Sequence, residues 1–263
     1  MSRLASALVL VVALAIMGGV VYLYAQRGEP DLPLPPAPQA AAPTVAPTAP
    51  AEDKPIEHPI EAAPAAQPLP ALSESDALFS DTLTQLLGAQ AVKDNLLVQG
   101  GVRRVVASID NLTREKLPQQ TLLIKPVGGD FKVTLTLDGP VISADNARRY
   151  EPYVKLLESV DSAKAARLYA QSYPLFQQAY RELGYPKGYF NDRLVQVIDH
   201  LLLAPEPAQP VRLTQPKVRY EFADPELSAL SSGQKALVRM GPENARRVKA
   251  KLRELRAAIA KKQ

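Results

Sequence analysis

Apolar residues along most of the chain after Pro70 recur at intervals of three and four, the period of a helix with one buried face. Ser73-Glu74-Ser75-Asp76 reads as a capping start, and Leu78, Phe79, Leu83, Leu86 and Leu87 then share a face until Gly88 ends the run. A second stripe carries Val98, Val102, Val105, Val106, Ile109 and Leu112, with Gly100 and Gly101 inside it. At FKVTLTLDGPVIS, residues 131–143, the period switches to two around Asp138-Gly139-Pro140, which predicts a short hairpin.

From Ser143 the helical period returns, with Tyr150, Tyr153, Leu156, Leu157 and Val160 on one face and Pro152 breaking it into two short helices. Asp161 is placed to cap the next helix, in which Leu168, Tyr169, Phe176, Tyr180 and Leu183 point inward and Pro174 should introduce a kink. A further helix, N-capped by Asn191, buries Leu194, Ile198, Leu201 and Leu202 and stops before Pro205. VRLTQPKVRYEF at 211–222 reads as extended, with Pro216 restricting any strand there to an edge. Asp224-Pro225 is an N-cap followed by proline at the first helical position. The last helix starts near Pro242 and buries Ala245, Val248, Leu252, Leu255 and Ile259. The expected fold is mainly α, a multi-helix globular domain at 72–263 with one or two small β elements.

The chain before this domain has a different pattern. Residues 4–24, LASALVLVVALAIMGGVVYLY, contain no charge and lie between Arg3 and Arg27. As a helix this run is about 31 Å long, matching a hydrocarbon core of about 30 Å. Residues 1–27 are therefore read as an uncleaved transmembrane anchor, since bulky Tyr22, Leu23 and Tyr24 occupy the place where a signal peptide needs small residues. Residues 28–71 are rich in proline and alanine and read as a linker. Its reach lies between about 35 Å as a coil and about 130 Å as polyproline II. His58 is expected to be solvated there, with no ligand cluster around it.

Composition removes several chemistries. The 263 residues include no cysteine, which excludes disulfides, thiolate metal sites and cysteine nucleophiles. A net charge of +4 is too small to identify a partner. Metalloprotease, nucleophile-elbow, phosphate-loop, dinucleotide and calcium-loop motifs do not occur, so no catalytic residue, cofactor or metal is assigned. Asp199 and His200 are adjacent on a helix and point about 100° apart, which does not aim the carboxylate at the imidazole.

Two surfaces are candidates for binding. The first is the corner GYPKGYFNDR, whose Tyr185, Tyr189, Phe190, Asn191, Asp192 and Arg193 form either an aromatic, polar-rimmed contact surface or a well-made helix connection. On the second reading, Gly184 and Gly188 turn the chain and the aromatics pack. The other surface is basic: Arg246, Arg247, Lys249, Lys251, Arg253 and Arg256 flank the apolar stripe of the last helix, with Lys261 and Lys262 beyond. This face suits solvent, anionic lipid or an acidic partner. Nothing in it resembles a nucleic-acid motif, and nucleic acid is not expected as a partner.

YPLFQQAYRELGYPKGYFNDRLVQVIDHLLLAPEP at 173–207 and YEFADPELSALSSGQKALVRMGPENARRVKAKLREL at 220–255 resemble an uncharacterised bacterial family, the domain of unknown function 3014. VASIDNLTREKLP and RRYEPYVKLLESVD fit the same resemblance. It implies an apolar N-terminal segment followed by a low-complexity linker, and it implies no activity. The expectation is a single-pass protein of the bacterial inner membrane with a periplasmic domain, acting in non-enzymatic binding or scaffolding at the envelope. The membrane is contacted through residues 4–24, and an envelope protein or the cell wall is the partner. A cell-wall-acting enzyme and an anionic-lipid-binding accessory are the alternatives, and the sequence sets no oligomeric state.

Overall fold

The computed structural model describes residues 55–60, 68–118, 121–125, 127 and 130–260. The anchor expected at 4–24 and most of the linker lie outside them. No helix among the described residues is long and apolar enough to cross a membrane.

Nine α-helices are described: α1 Asp76–Leu87, α2 Ala89–Asn95, α3 Gly101–Asn111, α4 Glu151–Glu158, α5 Ser162–Glu182, α6 Phe190–Leu202, α7 Pro225–Ala229, α8 Ser232–Arg239 and α9 Pro242–Ile259. They pack into a mainly helical globular domain with two small antiparallel sheets. α5 and α6 lie against each other, with α3 contacting both and α9 also contacting both. Leu194, Ile198 and Leu201 of α6 and Leu252 and Leu255 of α9 are fully buried, as their spacing predicts, whereas Leu202 is only partly buried and Val197 joins the core instead.

The hairpin joins β1 Val133–Thr136 to β2 Gly139–Ile142, in register from Val133 opposite Ile142 to Thr136 opposite Gly139. A second hairpin joins β3 Leu213–Thr214 to β4 Glu221–Phe222. The Ile142 amide donates to the Val211 carbonyl at 2.9 Å, which links the two hairpins. Ile142, Val211, Leu213, Phe222, Leu227 and Val238 form a second, smaller core between these strands and helices α7 and α8.

Local rules account for several element ends. Asp161 accepts from the Lys164 amide at 2.7 Å, and Asp224 accepts from the Glu226 amide at 2.8 Å. Ser75 does not cap α1: its hydroxyl donates to the Leu72 carbonyl. Asp76 instead accepts from the amides of Gly100 and Gly101, at 2.9 and 3.2 Å, so a residue of α1 satisfies the orphan donors that open α3. Gly101 is also where the two helices touch, since a Cβ there would fall inside the Phe79 ring.

Three expectations are corrected by where the elements begin and end. Leu183 is 41% exposed, because α5 has ended and the chain is already turning at Gly184, whose φ is +116°. The run 211–222 is not one extended segment: it folds into β3 and β4, and Pro216 lies in the connection between them. Asn191 is inside α6 and does not precede it, and Tyr189 holds the N-cap position.

Candidate functional site

The corner between α5 and α6 is held from within α5. Gln177 is buried and donates through Nε2 to the Gly188 carbonyl at 2.7 Å. Its Oε1 accepts from the Phe190 amide at 2.9 Å and from the Tyr173 hydroxyl at 2.7 Å. A side chain one turn-connection away thus does the capping that local sequence assigns to Asn191. Above it lies an aromatic cluster, in which Tyr180 and Tyr185 stack at 4.6 Å and Phe176 and Phe190 lie nearly parallel at 6.1 Å. Phe190 is fully buried and belongs to this core, so it is not available as a contact surface.

The polar triplet divides between two tasks. Arg193 points to α3, where Nε donates to the Asp110 carboxylate at 2.8 Å and Nη2 to the Asp110 carbonyl and the Thr113 hydroxyl. Arg114 and the Tyr185 hydroxyl donate to the second Asp110 oxygen, both at 3.0 Å. The buried carboxylate is fully partnered, and Arg193 and Tyr185 serve packing between helices.

Asn191, Asp192 and Tyr189 face a different occupant, residues 57–60 of the linker. The Asp192 carboxylate accepts from the amides of Glu57 at 3.1 Å and His58 at 2.7 Å. The Tyr189 hydroxyl accepts from the Ile60 amide at 2.8 Å. Asn191, itself fully buried, donates through Nδ2 to the His58 carbonyl at 2.8 Å and to the Ile259 carbonyl, in the last turn of α9, at 3.2 Å. His58 is 9% exposed, which corrects the expectation of a solvated histidine: its backbone is clamped and its ring is covered. Three buried polar atoms in this neighbourhood have no hydrogen-bond partner among the described residues: His58 Nδ1, Asn191 Oδ1 and the Tyr169 hydroxyl.

The tyrosines beneath this cradle remain protonated. Burial drives the Tyr169 hydroxyl well above its ordinary range, with Tyr173, Tyr189 and the Asp192 charge adding to it. Tyr173 is raised far by the same cause, helped by Tyr189, and Tyr180 is pushed up to about 12 by burial and then by Asp110. They act as neutral hydroxyls and not as acid–base groups near neutral pH.

The basic face of α9 is largely spent inside the molecule. Arg247 donates to Glu151 and Glu158, and Arg256 to Asp199 through Nη2 at 2.8 Å. Lys251 is paired with Glu254 at 2.8 Å, and Arg246 lies 3.6 Å from Glu206. Lys249 is 5% exposed and donates to the Ala204 carbonyl at 2.6 Å and to Glu206 at 3.3 Å. Only exposed Arg253, of the six, makes no ion pair among the described residues. Of the expected basic surface, Arg247 and Arg256 tie α9 to α4 and α6, Lys249 is held by the segment after α6, Lys251 pairs within α9, and Arg246 and Arg253 face outward.

His200 lies apart from this charge network. Its Nε2 is 2.8 Å from the Ser231 hydroxyl, and Asp199 is engaged by Arg256, so the two neighbours form no acid–base pair. Among the described residues no group of three or more histidine, aspartate or glutamate side chains is placed to hold a metal ion.

The structure is thus that of a mainly α domain with a side-chain cradle that grips a short bent segment by its backbone. The chain matches the family described as "Protein of unknown function (DUF3014)" over residues 101–256 and belongs to it. The matched region contains Tyr189, Asn191 and Asp192 but not residues 55–60. No curated protein and no solved structure matches the chain.

Proposed function

We propose that this chain is a membrane-anchored, non-enzymatic binding or scaffolding protein of the bacterial envelope. Residues 4–24 hold it in the inner membrane, the remaining linker spaces it from the lipid, and the helical domain lies in the periplasm. The observation that carries the binding reading is the cradle at the start of α6. Its Asp192, Asn191 and Tyr189 side chains are aimed at main-chain amides and a carbonyl of residues 57–60. Groups arranged in this way recognise the main chain of a peptide turn, whereas a reaction site would direct a nucleophile or a proton-transfer group at an open space.

Two measurements test this reading. The chain has no native cysteine, so Ala65→Cys supplies a single thiol in the linker. A membrane-impermeant maleimide should label it in intact spheroplasts, and labelling only after lysis overturns the periplasmic placement. Purified protein incubated with peptidoglycan should release no soluble fragments, and release of fragments would establish the cell-wall enzyme instead.

A further inference from the structure

We propose that the cradle of Tyr189, Asn191 and Asp192 is a peptide-recognition site that residues 55–60 occupy in cis. Its trans ligand is a bent segment of another protein with the same histidine–proline–apolar order as His58-Pro59-Ile60. The proposal deepens the binding reading above and rests on it, while being independent of the compartment.

The bonding pattern defines the ligand class. Every hydrogen bond from the cradle goes to main chain: the amides of Glu57, His58 and Ile60 donate, and the His58 carbonyl accepts. Residue 59 supplies no donor, which is why a proline fits there without losing a bond. Proline also restricts the backbone of its predecessor, so the segment has less freedom to lose when it docks. Side-chain selection enters at two places only, the covered His58 ring and Ile60, which packs against the main core. Ile56 and Glu57 remain exposed and read nothing.

The fit of the cis segment is incomplete. Asn191 Oδ1 and His58 Nδ1 are buried where the cradle grips and have no hydrogen-bond partner among the described residues. Leaving such atoms unsatisfied weakens the docked state. The cis segment is held in spite of this because it is tethered, and a tether of this kind gives an effective concentration on the order of millimolar. A tethered ligand with an imperfect fit is one that a better-matched free segment displaces.

The test uses the full chain in detergent micelles and a fluorescent peptide copying residues 54–61, KPIEHPIE, with anisotropy as the readout. Replacing the strap by Glu57→Gly/His58→Ser/Pro59→Gly should raise peptide affinity at least about tenfold over wild type, because the cis competitor is gone. Adding Asp192→Ala should then lower it about tenfold or more. No gain on replacing the strap overturns the proposal. The wild-type chain gives a second reading that does not depend on a variant folding: peptide raised above the tether's effective concentration, on the order of millimolar, should accelerate hydrogen exchange at the Glu57 and His58 amides, and unchanged exchange there also overturns it. Cytoplasmic labelling or peptidoglycan release would overturn the envelope or non-enzymatic reading and leave both of these results untouched.

Discussion

Arg193 on α6 bridges to Asp110 on α3, 83 residues earlier, with Nε 2.8 Å from a carboxylate whose side chain is 2% exposed. A carboxylate this deep is tolerable only while its charge is matched. Arg193→Ala removes the larger part of that match and leaves Arg114, which is itself mostly exposed. The expected loss is about 3 kcal/mol of unfolding free energy. Asp110→Asn/Arg193→Met should recover part of it, because no uncompensated charge is then buried. Denaturant midpoints at constant m-value measure both, and a single-variant loss under about 1 kcal/mol would show that the pair is not a buried ion pair in solution.

Gln177 holds the corner from three sides, and this makes a second prediction. Gln177→Leu keeps the volume roughly constant but strips partners from the Gly188 carbonyl, the Phe190 amide and the Tyr173 hydroxyl. The cost should be about 2–4 kcal/mol, larger than one ordinary hydrogen bond, because several buried groups lose partners together. Gln177→Glu keeps the acceptor and should be intermediate. If Gln177→Leu melts within a degree of wild type, the corner is held by its aromatics alone.

The histidine near the end of α6 should give the stability a pH slope. Burial, and after it the charge of Arg193, lowers the His200 pKa from its ordinary value of 6.5. The unfolded chain therefore takes up the proton first as pH falls, so stability is present at neutral pH and is lost as pH drops from about 6.5 through the lower folded value. His200→Gln should flatten that slope between pH 7 and pH 5 while His58 is left in place. Parallel thermal-melting profiles for the two proteins would remove His200 as the cause.

These contacts also show which parts of the structure were legible in the sequence. Asp161 and Asp224 cap the helices that follow them, and the α9 stripe is buried, because caps and periodic faces are set by neighbours in the chain. Asn191 looked like a cap by the same local rule. Its partners lie 133 and 68 residues away, and nothing within a turn of it announces them. The basic face of α9 misled for a related reason: periodicity shows that Arg247 and Arg256 are off the apolar stripe, but not that Glu151, Glu158 and Asp199 wait opposite. Helix α8 has its own local signal in the sequence. Ser231 and Gln234 form a capping box there, with both reciprocal bonds present.

The cations of α9 allow a prediction that separates packing from lipid binding. Lys249→Ala should cost about 1–3 kcal/mol, since it leaves the buried Ala204 carbonyl without its donor. Arg253→Ala, on the exposed side, should change stability by less than about 0.5 kcal/mol. Lys249 is for this reason a poor probe of surface charge: replacing it by glutamate would place a carboxylate in a buried position beside Glu206. The informative variant is Arg246→Glu/Arg253→Glu, which reverses outward charge and leaves the apolar stripe intact. A single unengaged cation near a membrane contributes about 1 kcal/mol, too little to hold a protein on a vesicle. The full chain reconstituted into neutral liposomes should therefore recruit no anionic vesicles, at low or physiological salt. Salt-sensitive recruitment that disappears in the charge-reversed variant would restore lipid to α9, and recruitment that survives in it would assign the lipid contact to a part of the chain other than this helix.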